Sequence, residues 1–491
     1  MTLVERTRAA LTRAAGVYRG SGFDERIAEV RARLDEPLRV AIAGRVKSGK
    51  STLLNALVAD RLAPTDAGEC TRIVTWYRDG HTYRVTLHPR AGGAPRQLRF
   101  TRDEGAVEVD LGGIRPEDVH SLDITWPSQA LRRATLIDTP GIGSLSERVS
   151  RRAWELIAPD DEETPADAVL YLMRHLHAND LEFLHAFHDT EVSRPNPVNA
   201  IGVLSRADEI GVGRLDAMAS ARRIAARLAG DGNVRRVVQT VVPVAGLLAE
   251  TAATLTETEV RHLRAVAGLE VKPAEELLLT ADRFVNTLPE LGLTSIEREA
   301  LLARFGLYGI RLASTLLRQD GQTTATGLAR ELTDRSGLTE LQEVLGSLFF
   351  ERRDVLKARS ALLALDTLTR TRPRSGSPAV AAEVEEIVAS AHPFNELRVL
   401  ATLRAGWLGG KPAVVEELER VIGGTGTAPH IRLDLPPDAG AGQLRSAASE
   451  ALVRWQRRAE NPLTVHEMAV AARVAVRSCE GLLADLNGRA R

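Results

Sequence analysis

An α/β domain with a mostly parallel sheet and helices on both faces, joined to an α-helical bundle, is the architecture expected from this sequence. Three observations carry the expectation. An apolar, β-rich run, Leu38-Arg39-Val40-Ala41-Ile42-Ala43, leads through a glycine-containing loop into a helical pattern, Thr52-Leu53-Leu54-Asn55-Ala56-Leu57. From about 38 to 245, β-like runs alternate with helical patterns, and several runs are continuously apolar, as strands buried on both faces should be. Beyond about 250 the β-like runs thin out and apolar residues recur every three or four positions.

Residues 1–36 read as two short helices, with Phe23, Ile27, Val30 and Leu34 on one face and Pro37 as the stop before the first strand. The loop after that strand, Gly44-Arg45-Val46-Lys47-Ser48-Gly49-Lys50-Ser51, fits the phosphate-binding pattern G-x-x-x-x-G-K-[ST] at every fixed position. Its glycines let backbone N–H groups curl around phosphate oxygens, and the following helix N-terminus adds partial positive charge. Lys50 is expected to reach the β/γ-phosphates and the Ser51 hydroxyl to hold Mg²⁺. Gly44, Val46, Lys47, Ser48, Gly49 and Thr52 complete the expected phosphate cradle. The chain has only five lysines, Lys47, Lys50, Lys272, Lys357 and Lys411, and two of them fall in this loop. Arginine does not substitute for the compact ammonium in so tight a cradle.

Later motifs select GTP. Leu136-Ile137-Asp138-Thr139-Pro140-Gly141 ends an apolar run with D-x-x-G, so Asp138 can hold Mg²⁺ through water and the Gly141 N–H can sense the γ-phosphate. Ile201-Gly202-Val203-Leu204 leads into Ser205-Arg206-Ala207-Asp208, where GTPases usually carry [NT]-K-x-D. A carboxylate at Asp208 accepts from both guanine N1–H and N2–H₂, a donor pair that adenine lacks. Arg206 stands in for the lysine whose stem covers the base, and Ser205 for the Asn or Thr. After the run Val237–Val242, the backbone N–H of Ala245 is the candidate contact to guanine O6. Between these motifs, Glu69-Cys70-Thr71-Arg72 offers Thr71, with Thr65 as the alternative, to close on Mg²⁺ and the attacking water once the γ-phosphate is bound.

The helical half carries the stripes Leu341, Leu345, Leu348, Val355, Leu362, then Leu444, Ala448, Leu452, Trp455, then Val465, Met468, Ala472, Val476, Cys479, Leu483, Leu486. Such stripes are the core of a bundle. Arg372–Pro378 reads as a linker or loop. Trp407-Leu408-Gly409-Gly410-Lys411 has the composition of a membrane-facing tip, although a buried Trp beside a turn is the ordinary reading. The net charge of −1 gives no global basic field for nucleic acid. Two distant cysteines suit a reducing cytosol, the first residues lack a signal peptide's apolar run, and no uncharged run of about 18 apolar residues predicts a spanning helix.

Together these residues resemble the dynamin superfamily, in its bacterial dynamin-like branch. The resemblance rests on Gly44–Leu57, Cys70-Thr71-Arg72, Asp138–Gly141, Ala166–Leu170, Ser336–Leu341 and Arg353–Ala358. It implies an α/β P-loop GTPase domain over 37–340 and a helical stalk built from 1–36 and 341–491. It implies GTP/GDP and Mg²⁺ as cofactors, a GTP-dependent dimer of heads, and hydrolysis that swings the stalk to remodel or maintain a membrane under cell-envelope stress. Anionic lipids and a larger dynamin-like paralogue are the implied partners, at the inner face of the plasma membrane. Where eukaryotic dynamins have Gln and Ser, this chain has Val46 and Lys47; Lys47 would supply positive charge to the transition state directly. Lys47, Lys50 and Thr71 are thus the expected catalytic residues, with slow basal turnover, since no general base stands out. Two other functions fit less of the sequence: a weakly hydrolysing structural partner of the larger paralogue, and a soluble Era-like regulatory GTPase.

Overall fold

The computed structural model describes residues 1–63, 73–103, 106–141, 166–174, 181, 184, 199–287, 292–320, 324–404 and 406–488. Its strands are β1 (Leu38–Gly44), β2 (Val74–Arg78), β3 (Arg84–Pro89), β4 (Arg96–Leu98), β5 (Phe100–Asp103), β6 (Ala106–Val109), β7 (Val119–Thr125), β8 (Ala134–Asp138), β9 (Ala168–Met173), β10 (Ala200–Ser205) and β11 (Val241–Val244). Nine of them form one sheet in the order β11-β10-β9-β1-β8-β2-β7-β3-β4, and β5 and β6 pair separately. The stretch from β11 to β8 is wholly parallel, with β1 between β9 and β8. Every residue of these five strands is buried, which explains their unbroken apolar runs.

The other half of the sheet is mixed. β2 runs antiparallel to β8 and parallel to β7, and β3 is antiparallel to both β7 and β4. β3 and β7 alternate buried with more exposed positions, the pattern of strands covered on one face. The run at Val237–Val242 is strand only from Val241. Val237 and Val238 both donate their N–H groups to the Val234 carbonyl and close a helical turn instead.

The N-terminal helices α1 (Leu3–Val17) and α2 (Asp24–Arg33) belong spatially with the C-terminal helices. Thr2 and Glu5 form a capping box that starts α1. Ala10, Leu11, Ala14 and Tyr18 share one core with Leu362, Leu365, Leu368 and Val380 of the Arg353–Thr371 and Ser377–Ser390 helices. The Tyr18 hydroxyl lies 2.9 Å from the Arg372 carbonyl and 2.8 Å from Ser377 Oγ. Residues 372–376 are therefore a pinned turn between two helices. The final hairpin, Ala441–Glu460 and His466–Gly488, buries Ala448 and Trp455 on one helix and Met468, Ala472 and Cys479 on the other.

One buried junction ties these parts to the sheet. Arg33 pairs with Asp167 at 3.2 Å just before β9, and Asp167 also accepts the Arg39 N–H at 2.9 Å. The Lys357 ammonium donates to the Leu34 carbonyl at 3.1 Å. Among the described residues one helix, Ser295–Gln319, is long and apolar enough to cross a membrane by length and composition. It loses helical geometry at Gly306, and its Leu301, Phe305, Tyr308 and Ile310 share a core with β9 and β10, so it reads as a core helix.

Candidate nucleotide site

The phosphate loop starts where Gly44 of β1 runs beside Leu172 of β9. Gly44 has φ 146°, and a Cβ there would stand 2.4 Å from the Leu172 carbonyl oxygen, so only glycine fits. Lys47 and Gly49 both take positive φ, 62° and 89°, and turn the chain into helix α3 (Lys50–Val58). The Lys50 ammonium folds back over the loop and donates to the Gly44 and Arg45 carbonyls at 3.3 and 3.2 Å. Burial pushes its pKa down, and nearby Asp138 works against that. The Lys47 side chain is exposed at the rim.

β8 delivers Asp138 to the same place. The parallel register sets Asp138 beside Ile42, and Ser51 Oγ donates to Asp138 Oδ2 at 3.0 Å. Burial raises the Asp138 carboxyl pKa; Lys50, the Ser51 hydroxyl and the Thr139 N–H oppose the rise. Asp138 Oδ1 and Ser48 Oγ are buried without hydrogen-bond partners among the described residues. A hydroxyl and an orphaned carboxylate oxygen beside a partly buried ammonium are suited to a hard, oxygen-seeking cation such as Mg²⁺ with a phosphate chain. Among the described residues no three His, Cys, Asp or Glu side chains converge as a cation cage. Such an ion would therefore draw its other ligands from phosphate and water, as Mg²⁺ commonly does.

Thr139 Oγ1 donates to the Ile42 carbonyl at 2.9 Å and carries the chain from β8 across to the loop. Gly141 then lies directly on Val46: a Cβ at Gly141 would sit 2.6, 2.7 and 2.8 Å from Val46 Cγ2, Cα and N. The Val46 side chain is 46% exposed, so its contribution to the site is this backbone contact. Thr71, and Thr65 with it, lie outside the described residues.

A cavity extends from Ser48, Gly49 and Thr52 to Arg206 and Asp208, between apolar walls that include Leu172, Val203 and Val244. The phosphate loop and the candidate base reader thus border one continuous space. Burial lifts the Asp208 carboxyl pKa; its own backbone N–H lowers it, Glu209 raises it, and Arg206 and Arg174 lower it. Ser205 lines the cavity, but its hydroxyl donates to the Met173 carbonyl at 3.3 Å. Arg206 is left-handed at φ 53°, and its Nη1 donates to Glu209 Oε1 at 2.6 Å.

The expectation for Ala245 is corrected. Its backbone N–H donates to the Ser336 carbonyl at 2.8 Å and is unavailable to a base. Gly246 and Leu247, one and two residues on, are the ones that face the cavity. Glu209 and Arg174 were not foreseen, although a charge directly after Asp208 and another directly after an apolar strand were visible in the sequence. In the helical half, Trp407 is 59% exposed and Leu408 is buried, which reverses the ordinary reading of that turn. A Cβ on Gly410 would stand 3.3 Å from Met468 Cε, so this turn adjoins the one holding Leu463 and Val465, which are 90% and 69% exposed.

Comparison with known proteins agrees with this geometry. The model of the dynamin family matches residues 40–206. The chain is 42% identical to the isoniazid-induced protein IniC of Mycobacterium tuberculosis, over the full length of both proteins. It is 30% identical over 120 residues to a bacterial dynamin-like protein of Nostoc punctiforme, covering 22% of this chain and 17% of that one. It is 31% identical over 131 residues to the isoniazid-induced protein IniA of Mycobacterium tuberculosis, covering 25% and 20%.

Proposed function

The chain belongs to the dynamin family of GTPases, in its bacterial dynamin-like branch, and we propose that it binds GTP with Mg²⁺ and hydrolyses it to drive motion of its helical bundle at a membrane. The observation that carries the reading is the cavity joining Ser48, Gly49 and Thr52 of the phosphate loop to Arg206 and Asp208, in the same loop region where Ser51 Oγ donates to Asp138 and Lys50 lies near that carboxylate. Lys50 holds the β/γ-phosphates. Ser51 and Asp138 are the residues that would hold Mg²⁺, which when bound neutralises charge on the phosphate oxygens. Lys47, free at the rim, adds positive charge where the transition state gathers negative charge, and Thr71 positions water. Rate enhancement then rests on positioning and electrostatics, with slow basal turnover.

Residues 37–340 act as the head, and 1–36 with 341–491 as the moving bundle. The buried Arg33–Asp167 pair and the Lys357–Leu34 bond support transmission between them. Heads pair across the nucleotide face, in the cytoplasm, at the inner face of the plasma membrane. Trp407, Leu463, Val465 and Lys411 supply apolar and cationic contacts to anionic lipid. A similar protein described as isoniazid-induced supports a role under envelope stress.

A second reading rests on Val46, which cannot hydrogen-bond through its side chain: the chain binds GTP, hydrolyses it weakly and serves a larger dynamin-like paralogue. Binding of GTP against ATP, with Lys50→Ala as control, and co-sedimentation with anionic vesicles test the proposal. Selective GTP binding with sedimentation lost in Trp407→Ser plus Leu463→Ser supports it. Equal binding of ATP removes the guanine pocket, and sedimentation only with the paralogue favours the second reading.

A further inference from the structure

The mouth of the cavity beside Asp208 carries a charged triplet that phosphate binding does not use. β9 and β10 are neighbours in register, Met173 beside Leu204, so Arg174 and Arg206 leave the same edge of the sheet almost level. Glu209 stands between them. Its Oε1 accepts from Arg206 Nη1 at 2.6 Å, and its Oε2 accepts from Arg174. Arg206 and Glu209 both line the cavity, and the left-handed backbone at Arg206 sets the direction from which its side chain leaves the strand.

These ion pairs are partly exposed, and exposed pairs add little to the stability of a fold. Their geometry has a different use. A flexible arginine is a poor wall for a flat ring unless its plane is fixed. A carboxylate that grips one edge of the guanidinium leaves the planar faces free to stack. A lysine needs no such partner, because its stem alone covers a base. Arginine in this position therefore gains from a carboxylate, and Glu209 is within one helical turn of it. Arg174 neutralises the second oxygen of Glu209, which limits repulsion of Asp208.

We propose that Glu209 is a positioning residue for purine recognition, holding the Arg206 guanidinium as the wall against which the base stacks while Asp208 reads its edge. This inference rests on the reading of the cavity as the guanine pocket. The full-length protein with Glu209→Gln tests it, using ribose-labelled GDP and GTP in fluorescence titrations and steady-state hydrolysis. Both nucleotides should weaken by the same factor, about tenfold, because the base is common to both, and the loss should appear in KM rather than kcat. Arg206→Met should weaken them similarly, and the double variant should be no weaker than Arg206→Met alone, because Glu209 acts through Arg206. Unchanged affinity in Glu209→Gln, losses that multiply in the double variant, or a loss confined to GTP would each overturn the inference. Asp208→Asn separates the two layers: it should shift preference from GTP toward xanthosine triphosphate, whose C2 carbonyl replaces the guanine amino group. No shift removes the guanine pocket itself. A shift with a silent Glu209→Gln removes only the role of Glu209. Thermal unfolding of each variant alongside wild type guards against a collapsed fold.

Discussion

Gly141→Ala is the sharpest perturbation of the phosphate site. The added methyl would stand 2.6 Å from Val46 Cγ2, 2.7 Å from Val46 Cα and 2.8 Å from Val46 N, against an ordinary contact of 3.4 Å or more. A side-chain methyl can swing away, but Cα and N belong to the phosphate loop. Relief therefore needs the loop and the segment after β8 to separate by about 0.6–0.7 Å, the shortfall between the two backbone contacts and ordinary van der Waals separation. Overpacking of this kind costs about 1–3 kcal/mol, or roughly 5- to 150-fold in affinity. The loss should be larger for GTP than for GDP, the role proposed for the Gly141 N–H being to sense the γ-phosphate. Titration with ribose-labelled GTP and GDP measures it. Val46→Gly should restore only part of the loss, because it removes Cγ2 and leaves Cα and N. Wild-type affinity for GTP in Gly141→Ala would refute the contact between the D-x-x-G segment and the loop. Complete rescue by Val46→Gly would refute the backbone origin of the clash.

Lys50→Ala should abolish binding of GTP and GDP by isothermal titration, because the phosphates lose their partly buried cation; unchanged affinity would remove the loop from the site. Burial raises the pKa of Asp208, so its acceptor form is lost at a higher pH than for a free aspartate as the medium is acidified. GTP affinity should therefore fall on acidification through that range, and Asp208→Asn should flatten the profile. Glu396 is a stability probe: it accepts from Arg432 and Ser478, each at 2.6 Å. Burial alone would raise its pKa, but the hydrogen bond from His392, the Arg432 charge and the Ser478 hydroxyl hold it at about 2, from an ordinary 4.5. A depressed carboxyl contributes stability fully present above 4.5 and lost as pH falls toward about 2. Glu396→Gln should cost about 3 kcal/mol in urea unfolding at neutral pH, with the gap to wild type closing across that window.

The parts of this molecule legible in the sequence are those where chemistry fixes residue type. Gly44 must be glycine because β9 passes too close, and Asp138 ends an apolar buried strand with a carboxylate that meets the Ser51 hydroxyl. The parallel strands announced themselves through runs buried on both faces. β3 and β7 did not, because strands covered on one face carry half their positions as polar residues. The capture of the Ala245 N–H by Ser336 joins residues far apart in the chain, and no local pattern contains it. At the Trp407 turn, composition alone could not say which neighbour turns inward; backbone geometry buries Leu408 and leaves the indole out. The Glu209 grip on two arginines depends on the order of β9 and β10 in the sheet, which the sequence does not state.

GTP turnover measured against protein concentration, with and without anionic vesicles and scored beside co-sedimentation, addresses the proposed function most directly. Turnover per molecule that rises with concentration, and rises again with lipid, is the expected result for heads that activate one another at a membrane. Flat, near-zero turnover with no sedimentation would contradict it.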